Sequence, residues 1–338
     1  MIKVAINGFG RIGRLVFRLM IDDPSFEVVA INDLSSPEEL AHLLKYDTSH
    51  RSYKVDEISF DEENIIIEGK KIKVYSEKEP EALPWKALEI DQVFECTGLF
   101  VKLESAYKHV IAGAKKVIIS APAKGDLKTI VYSVNEQILD GSEEVISAAS
   151  CTTNCLAPIM DILEKNIGVE KGYMTTVHAY TNDQAILDVS HNKGINARRG
   201  RAGAANIVPS STGAASALGL VIPTLIGKLD GSALRVPTTT GSVVDLTLEL
   251  KKNVTAEEIN ELFTKNQTSS LKITHDPIVS SDVIGSFVGG LIDGQLTKVL
   301  EVDEKQLVKI VAWYDNEMGY SAQMVRLSKY IGKLVENK

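Results

Sequence analysis

The sequence predicts an α/β fold: a doubly wound parallel sheet, followed by an α+β domain with a mixed or antiparallel sheet. Three observations predict it. Short apolar runs alternate with helical patterns through the first half, which implies right-handed crossovers and mostly parallel strands. Strand-like runs dominate the second half, with helices on one face. The 338 residues are 44% hydrophobic and 24% charged, enough to fill two cores.

The elements follow in order. A buried strand is expected at 2–6. Ile12, Leu15, Val16, Leu19 and Met20 recur at helical spacing across 11–22, and Asp22-Asp23-Pro24 stops that helix. A second strand falls at 27–31. Pro37 opens a helix that runs to Leu44. Residues 53–74 read as an antiparallel meander, with Glu68-Gly69 as a turn. Strands at 93–95, 116–120 and 145–149 accompany a helix at 105–112, ended by Gly113. Leu156, Ile159, Met160 and Leu163 define a helix after Cys151, and Pro158 should kink it or loosen its first turn. Strands are expected at 243–250, 278–287 and 307–313. Thr255, three residues before Glu258, is placed to cap a helix over 255–263. A terminal helix spans 321–335.

Composition limits the function. There are 45 acidic and 37 basic residues, a net charge of −8, which argues against nucleic acid or an anionic membrane as the main partner. The start of the chain leads into a strand pattern, not a signal peptide. Residues 202–227 carry no charge but contain Pro209 and Pro223 among polar residues, so they read as core and loops, not as a membrane span. Three cysteines, Cys96, Cys151 and Cys155, give no disulfide framework and fit a reducing, cytoplasmic setting. Without clustered histidines they make no metal site.

Gly8-Phe9-Gly10-Arg11-Ile12-Gly13 follows the first strand and opens the first helix, and Asp33 ends the next strand twenty residues past Gly13. That context makes the glycine pattern a dinucleotide fingerprint and the first domain a Rossmann-type one. Gly8 permits the tight turn, Gly10 lets backbone approach the pyrophosphate, and Gly13 lets helix and strand pack. Free N–H groups at the helix start, Arg11 and Ile12 included, suit phosphate. Asp33 would accept from the adenine-ribose hydroxyls and repel a 2′-phosphate, which favours NAD.

Cys151 sits where a strand becomes a helix, a position that activates a thiol. The helix end alone is insufficient. Lowering a thiol pKa from about 8.5 to about 6.5 takes about 2.7 kcal/mol. A helix terminus supplies about 0.3–1 kcal/mol, or ~2 in a buried geometry. A second cationic group is required. His178 ends an apolar run and opens into a polar loop, a position suited to an imidazole base. His42 reads as structural, and His50 and His109 read as solvated. Cys155, one turn after Cys151, reads as a small buried residue, and Cys96 as structural or cofactor-adjacent.

Seven motifs carry a family resemblance over essentially the whole chain. They are Asn7-Gly8-Phe9-Gly10-Arg11-Ile12-Gly13-Arg14, Ala41-His42-Leu43-Leu44-Lys45-Tyr46-Asp47, Ala149-Ser150-Cys151-Thr152-Thr153-Asn154-Cys155, and Thr175-Thr176-Val177-His178-Ala179-Tyr180-Thr181-Asn182-Asp183-Gln184. With them come Ser211-Thr212-Gly213-Ala214-Ala215, Arg235-Val236-Pro237-Thr238 and Trp313-Tyr314-Asp315-Asn316-Glu317-Met318-Gly319-Tyr320. The sequence resembles the phosphorylating glyceraldehyde-3-phosphate dehydrogenases.

The resemblance implies a glycolytic, NAD-dependent enzyme. Cys151 would attack the aldehyde of glyceraldehyde 3-phosphate, and His178 would pair with the thiolate and take the hydroxyl proton. Inorganic phosphate would then cleave the thioester. Thr181 and Arg235 would hold the substrate phosphate. Ser150, Thr152, Thr212 and Gly213 would line the inorganic phosphate site. Asn316 would orient the nicotinamide, and Thr97 and Ser120 would lie in the cofactor cleft. It also implies a homotetramer and a division into an NAD-binding domain, 1–150 with the helix 317–338, and a catalytic domain, 151–316.

Three departures stand out. Val189-Ser190 replaces a commoner Leu-Pro, and the serine occurs in members that accept NADP. The loop 188–200 is longer, which leaves Arg198, Arg199 and Arg201 without an assigned role. Ser216 replaces a commoner lysine. An erythrose-4-phosphate dehydrogenase shares the cysteine and histidine, but Thr181 and Ser211-Thr212-Gly213 fit the triose enzyme better. A cysteine hydrolase would not need the fingerprint, and a non-catalytic binding role gains no support from the charge.

Overall fold

The computed structural model describes residues 1–191 and 194–336 and divides into two compact units. The first comprises Met1–Ser150 and the chain from Ser321 onward; the second is Cys151–Tyr320.

The first unit begins with β1 (Ile2–Asn7), α1 (Arg11–Met20), β2 (Phe26–Asn32) and α2 (Pro37–Lys45). Ser36 caps α2 in a reciprocal pair with Glu39, and Pro37 takes the first helical position. A meander follows: β3 (Ile58–Phe60), β4 (Asn64–Ile67) and β5 (Lys70–Tyr75). Its second turn is Glu68-Gly69, both with positive φ. The expected helix at 105–112 is instead two short pieces. After β6 (Gln92–Glu95) come α3 (Leu103–Ala106) and α4 (Lys108–Ile111), then β7 (Lys116–Ile119) and β8 (Val145–Ser147). Tyr107, between the two pieces, keeps helical angles of φ −61 and ψ −19, and its amide still donates to the Leu103 carbonyl at 2.8 Å.

The sheet runs β3-β4-β5-β2-β1-β6-β7-β8, and every pair from β5 to β8 is parallel. From β5 onward this is the doubly wound dinucleotide order, with its switch point between β1 and β6. Val4, Ala5, Ile6, Val93 and Phe94 on those two strands have no exposure, as strands covered on both faces require.

The second unit starts with α5 (Cys151–Asn166), which runs unbroken past Pro158. It continues with β9 (Val169–Ala179), β10 (Val208–Ser211), α6 (Ala214–Val221), β11 (Leu229–Val236), β12 (Ser242–Leu250) and α7 (Ala256–Lys265). Then come β13 (Leu271–Thr274), β14 (Gly290–Asp293), β15 (Lys298–Val302), β16 (Lys305–Tyr314) and α8 (Met318–Glu336), which enters the first unit at Ser321. The mixed sheet order is β10-β11-β9-β12-β16-β14-β13, with β15 paired to β16. Val244, Leu246 and Leu248 alternate inward along β12 and are fully buried. Each such side chain stabilises the core by about 1.5–3 kcal/mol.

The strand expected at 278–287 is absent. Ser280–Val283 forms a 3-10 turn, with the Asp282 carboxylate accepting from the Val279 amide, and Gly285 turns at φ +84. Local capping by aspartate outcompetes the apolar pattern there. No described helix is long and apolar enough to cross a membrane.

Candidate active site

In the first unit the fingerprint residues sit at the carboxyl end of β1, beside the switch point. Gly8 turns at φ +89, and a methyl group on it would stand 2.7 Å from the Thr97 amide nitrogen. A methyl on Gly13 would stand 2.1 Å from the Gly8 carbonyl oxygen, whereas the space over Gly10 is open for 4 Å. Backbone thus closes on backbone at Gly8 and Gly13 and leaves room at Gly10. Helix α1 has no capping side chain and no acid in its first turn. A start of that kind suits an anion. These residues fit a dinucleotide.

Asp33 follows β2 and accepts from the Phe9 amide at 2.8 Å and the Ser35 amide at 3.0 Å. The Arg11 side chain does not face an open site: its guanidinium pairs with Asp47 and approaches His50 Nδ1 at 3.3 Å. Burial alone would raise the Asp47 carboxyl, but hydrogen bonds from His50 and Arg11 hold it well below the usual carboxylate range. Thr97 and Ser120 follow β6 and β7. The Thr97 amide donates to Glu95 Oε1 at 2.8 Å, and its hydroxyl donates to the same oxygen.

His109 corrects the solvated reading. It is fully buried, accepts from Trp85 Nε1 at Nδ1 over 3.0 Å, and places Nε2 3.1 Å from Glu95 Oε2. The Trp85 donor leaves the ring proton on Nε2, which donates to the carboxylate. His50 corrects it too, with a side chain 2% exposed beside Asp47. Periodicity could not reveal either, because charged neighbours in sequence are not neighbours in space.

In the second unit Cys151 opens α5, just after Ala149, which turns with φ +59. Its Sγ lies 3.4 Å from His178 Nε2 and 4.0 Å from Thr152 Oγ1. His178 is 4% exposed near the end of β9. The parallel pairing of β9 with β11 sets Arg235 directly opposite His178. Arg235 Nη1 lies 2.7 Å from His178 Nδ1, 2.9 Å from the Ala179 carbonyl oxygen and 3.4 Å from Thr181 Oγ1. Its buried Nε has no hydrogen-bond partner. Burial and the Arg235 charge push the imidazole down to about 3. Burial pushes the Cys151 thiol up, against the lowering effect of the same guanidinium.

Two residues were missed as site members. Tyr314, buried at the end of β16, hydrogen-bonds Thr152 and Thr176 at 2.9 Å each and meets the His178 ring edge-on at 5.9 Å. Arg199, in the unassigned loop, pairs with Asp183, which also accepts from Thr181. Strand alternation around Tyr314 was the available signal for the first; no local pattern marks the second. Asn192 and Lys193 of that loop lie outside the described residues.

The remaining candidates have partners of their own. Thr212 Oγ1 accepts from the Ala214 amide at 3.2 Å, a turn cap at the start of α6, and Gly213 is that helix's N-cap residue. Ser216 Oγ donates to the Gly213 carbonyl at 3.0 Å. Asn316 is buried, its Oδ1 accepting from Ser242 Oγ at 2.8 Å and Thr240 Oγ1 at 3.3 Å, which leaves the amide nitrogen as its remaining hydrogen-bonding group. Ser150 is the last residue of the first unit's opening segment. Among the described residues no group of three or more His, Cys, Asp or Glu could hold a metal ion.

A dinucleotide-type sheet in one unit and a thiol beside an imidazole in the other are the parts of a dehydrogenase that works through a covalent thiol adduct. The comparisons with known proteins agree. Residues 2–103 match the family model for the glyceraldehyde 3-phosphate dehydrogenase NAD binding domain, and residues 150–316 match that for its C-terminal domain. The glyceraldehyde-3-phosphate dehydrogenase of Clostridium pasteurianum is 56% identical over 99% of this chain and 100% of its own length. That of Streptococcus pyogenes is 54% identical over 99% of both. The chain belongs to the glyceraldehyde-3-phosphate dehydrogenase family.

Proposed function

We propose that this chain oxidises glyceraldehyde 3-phosphate to 1,3-bisphosphoglycerate, using NAD and inorganic phosphate. The observation that carries the reading is the Cys151 sulfur 3.4 Å from His178 Nε2, with Arg235 on the far side of the ring. Cys151 attacks the aldehyde carbon and forms a hemithioacetal. His178 Nε2 takes the hydroxyl proton as the C–H electron pair leaves and the thioester carbonyl forms. Bound NAD supplies the acceptor for that hydride. The Cys151 backbone N–H, at the start of α5, suits the developing oxyanion. Arg235 and Thr181 hold the substrate phosphate, since a guanidinium fork and a hydroxyl match its oxygens. Thr152, Thr212, Gly213 and Ser150 hold inorganic phosphate. Its oxygen attacks the thioester, the sulfur leaves, and the acyl phosphate departs.

Gly8, Gly10, Arg11, Ile12, Gly13, Asp33, Thr97, Ser120 and Asn316 serve the cofactor, with Arg11 contributing its backbone and not its engaged side chain. The chain works in the cytoplasm, as three free thiols suggest. It assembles as a homotetramer. Ile186, Leu187, Val189 and Ile195 are 61–98% exposed, an apolar set suited to burial against another copy.

The test is NADH formation from glyceraldehyde 3-phosphate with and without phosphate. Without it, one equivalent per active site should form and then stall at the thioester. Steady turnover that ignores phosphate would overturn the phosphorylating mechanism.

A further inference from the structure

Ser242 opens β12, the strand that lies between β9 and β16 in the mixed sheet. From there its hydroxyl reaches past the ends of both neighbours. It accepts from the Ala179 amide at 3.1 Å and donates to Asn316 Oδ1 at 2.8 Å. Ala179, Ser242 and Asn316 are all buried. The directions are forced. A backbone N–H can only donate, so Ser242 Oγ is the acceptor toward Ala179 and its own proton needs another partner. The Asn316 amide oxygen is that partner.

Thr240 Oγ1 also approaches Asn316 Oδ1, at 3.3 Å, but it has one proton and lies closer to Asp315 Oδ1, at 3.0 Å. Asp315 accepts from the amides of Glu317 and Met318 at 2.9 Å each and from that of Gly285 at 2.7 Å, as a carboxylate does. A charged acceptor holds the Thr240 proton more strongly than an amide oxygen. Thr240 therefore has lone pairs left for Asn316, and these would suit the amide nitrogen as well. Ser242 would not tolerate that reversal. With Nδ2 turned inward, the buried Ser242 proton would lose its acceptor, which costs more than a hydrogen bond is worth.

We propose that Ser242 fixes which end of the Asn316 amide is presented to the cofactor: its proton holds Oδ1 inward, so that Nδ2 offers N–H donors and takes a nicotinamide by its carbonyl oxygen, not by its amino group. Ser242 is a positioning residue, since it acts through Asn316, and its role rests on the functional reading above. A nicotinamide carries both an acceptor and a donor, so it can meet Asn316 in either orientation. A 3-acetylpyridine ring carries the carbonyl oxygen alone and can meet only the N–H donors.

The experiment measures binding without substrate, by fluorescence titration of NAD and of 3-acetylpyridine adenine dinucleotide, and reads the ratio of the analogue's Kd to that of NAD. Ser242→Ala removes the proton and lets the amide reverse onto Thr240 Oγ1. It should raise the ratio about fivefold over the parent, the worth of one net hydrogen bond. Thr240→Ala touches the same oxygen and should leave the ratio at the parent's value. A hydroxyl that only supports the fold predicts that both affinities fall together, so an unchanged ratio in Ser242→Ala overturns the assignment. An equal rise in Thr240→Ala overturns it too. Should Ser242→Ala not fold, Ser242→Cys decides. Its thiol is a weaker donor, so the ratio should rise about twofold, and an unchanged ratio overturns the assignment. A parent that binds neither dinucleotide overturns the functional reading, and the role of Ser242 with it.

Discussion

Cys151 and Cys155 stand one turn apart on α5, and burial pushes both thiols up. Their partners separate them. Cys151 has His178 at 3.4 Å and the Arg235 charge, whereas the electrostatic neighbour of Cys155 is Cys151 itself, which raises it further. Cys151→Ser should abolish oxidation, while Cys155→Ser should keep most of it and lose about 1–3 kcal/mol of stability for a buried hydroxyl. Equal activity loss in the two variants, each checked for folding by thermal melting, would show that the nucleophile is misassigned. The position of Cys151 was legible, because strand, cysteine and helix follow one another in sequence. The grip of Arg235 on His178 was not. It depends on a parallel register that joins residues 57 apart, and no local pattern encodes a register.

At the level of elements, the fingerprint is a backbone device. Gly13→Ala would drive a methyl into the Gly8 carbonyl, so the turn must open. We expect NAD affinity, measured by fluorescence titration, to fall at least tenfold, with a stability loss of about 1–3 kcal/mol from overpacking. Thr255→Ala removes the hydroxyl that accepts from the Glu258 amide at 3.1 Å. It should cost about 1 kcal/mol and leave turnover unchanged, because α7 only supports the sheet. A Gly13→Ala enzyme with normal NAD affinity would show that the close approach is incidental. Elements with strong periodicity or a cap, such as α1, α2 and α7, could be read directly. The 278–287 segment could not, because Asp282 and Gly285 impose turns on an apolar stretch. Nor could the break between α3 and α4, which no glycine or proline marks.

At the scale of the whole molecule, the exposed Ile186, Leu187, Val189 and Ile195 carry the prediction of assembly. Sedimentation equilibrium should return four times the chain mass, and Ile195→Asp should shift the population to smaller species. A monomeric parent would remove the reason for that apolar surface. The acidic balance of the sequence remains compatible with anionic ligands, because Arg235 sets a positive charge by the thiol.

From Ser321 onward helix α8 belongs to the first unit, although in sequence it follows the second. Ser328 Oγ donates to Gln92 Oε1 at 2.5 Å, Gln92 Nε2 donates back to the Ser328 carbonyl at 3.1 Å, and a methyl on Gly332 would stand 2.3 Å from the tip of the Ile2 side chain. On a ribosome the sheet strands β1 to β8 emerge first, but one wall of their core is still unmade. The 170 residues from Cys151 to Tyr320 must be synthesised before the part of α8 that belongs to the first unit appears. At about 5–20 residues per second, that is a wait of roughly 10–35 s. During it the apolar face that α8 will cover is open to any chaperone or neighbouring nascent chain within reach.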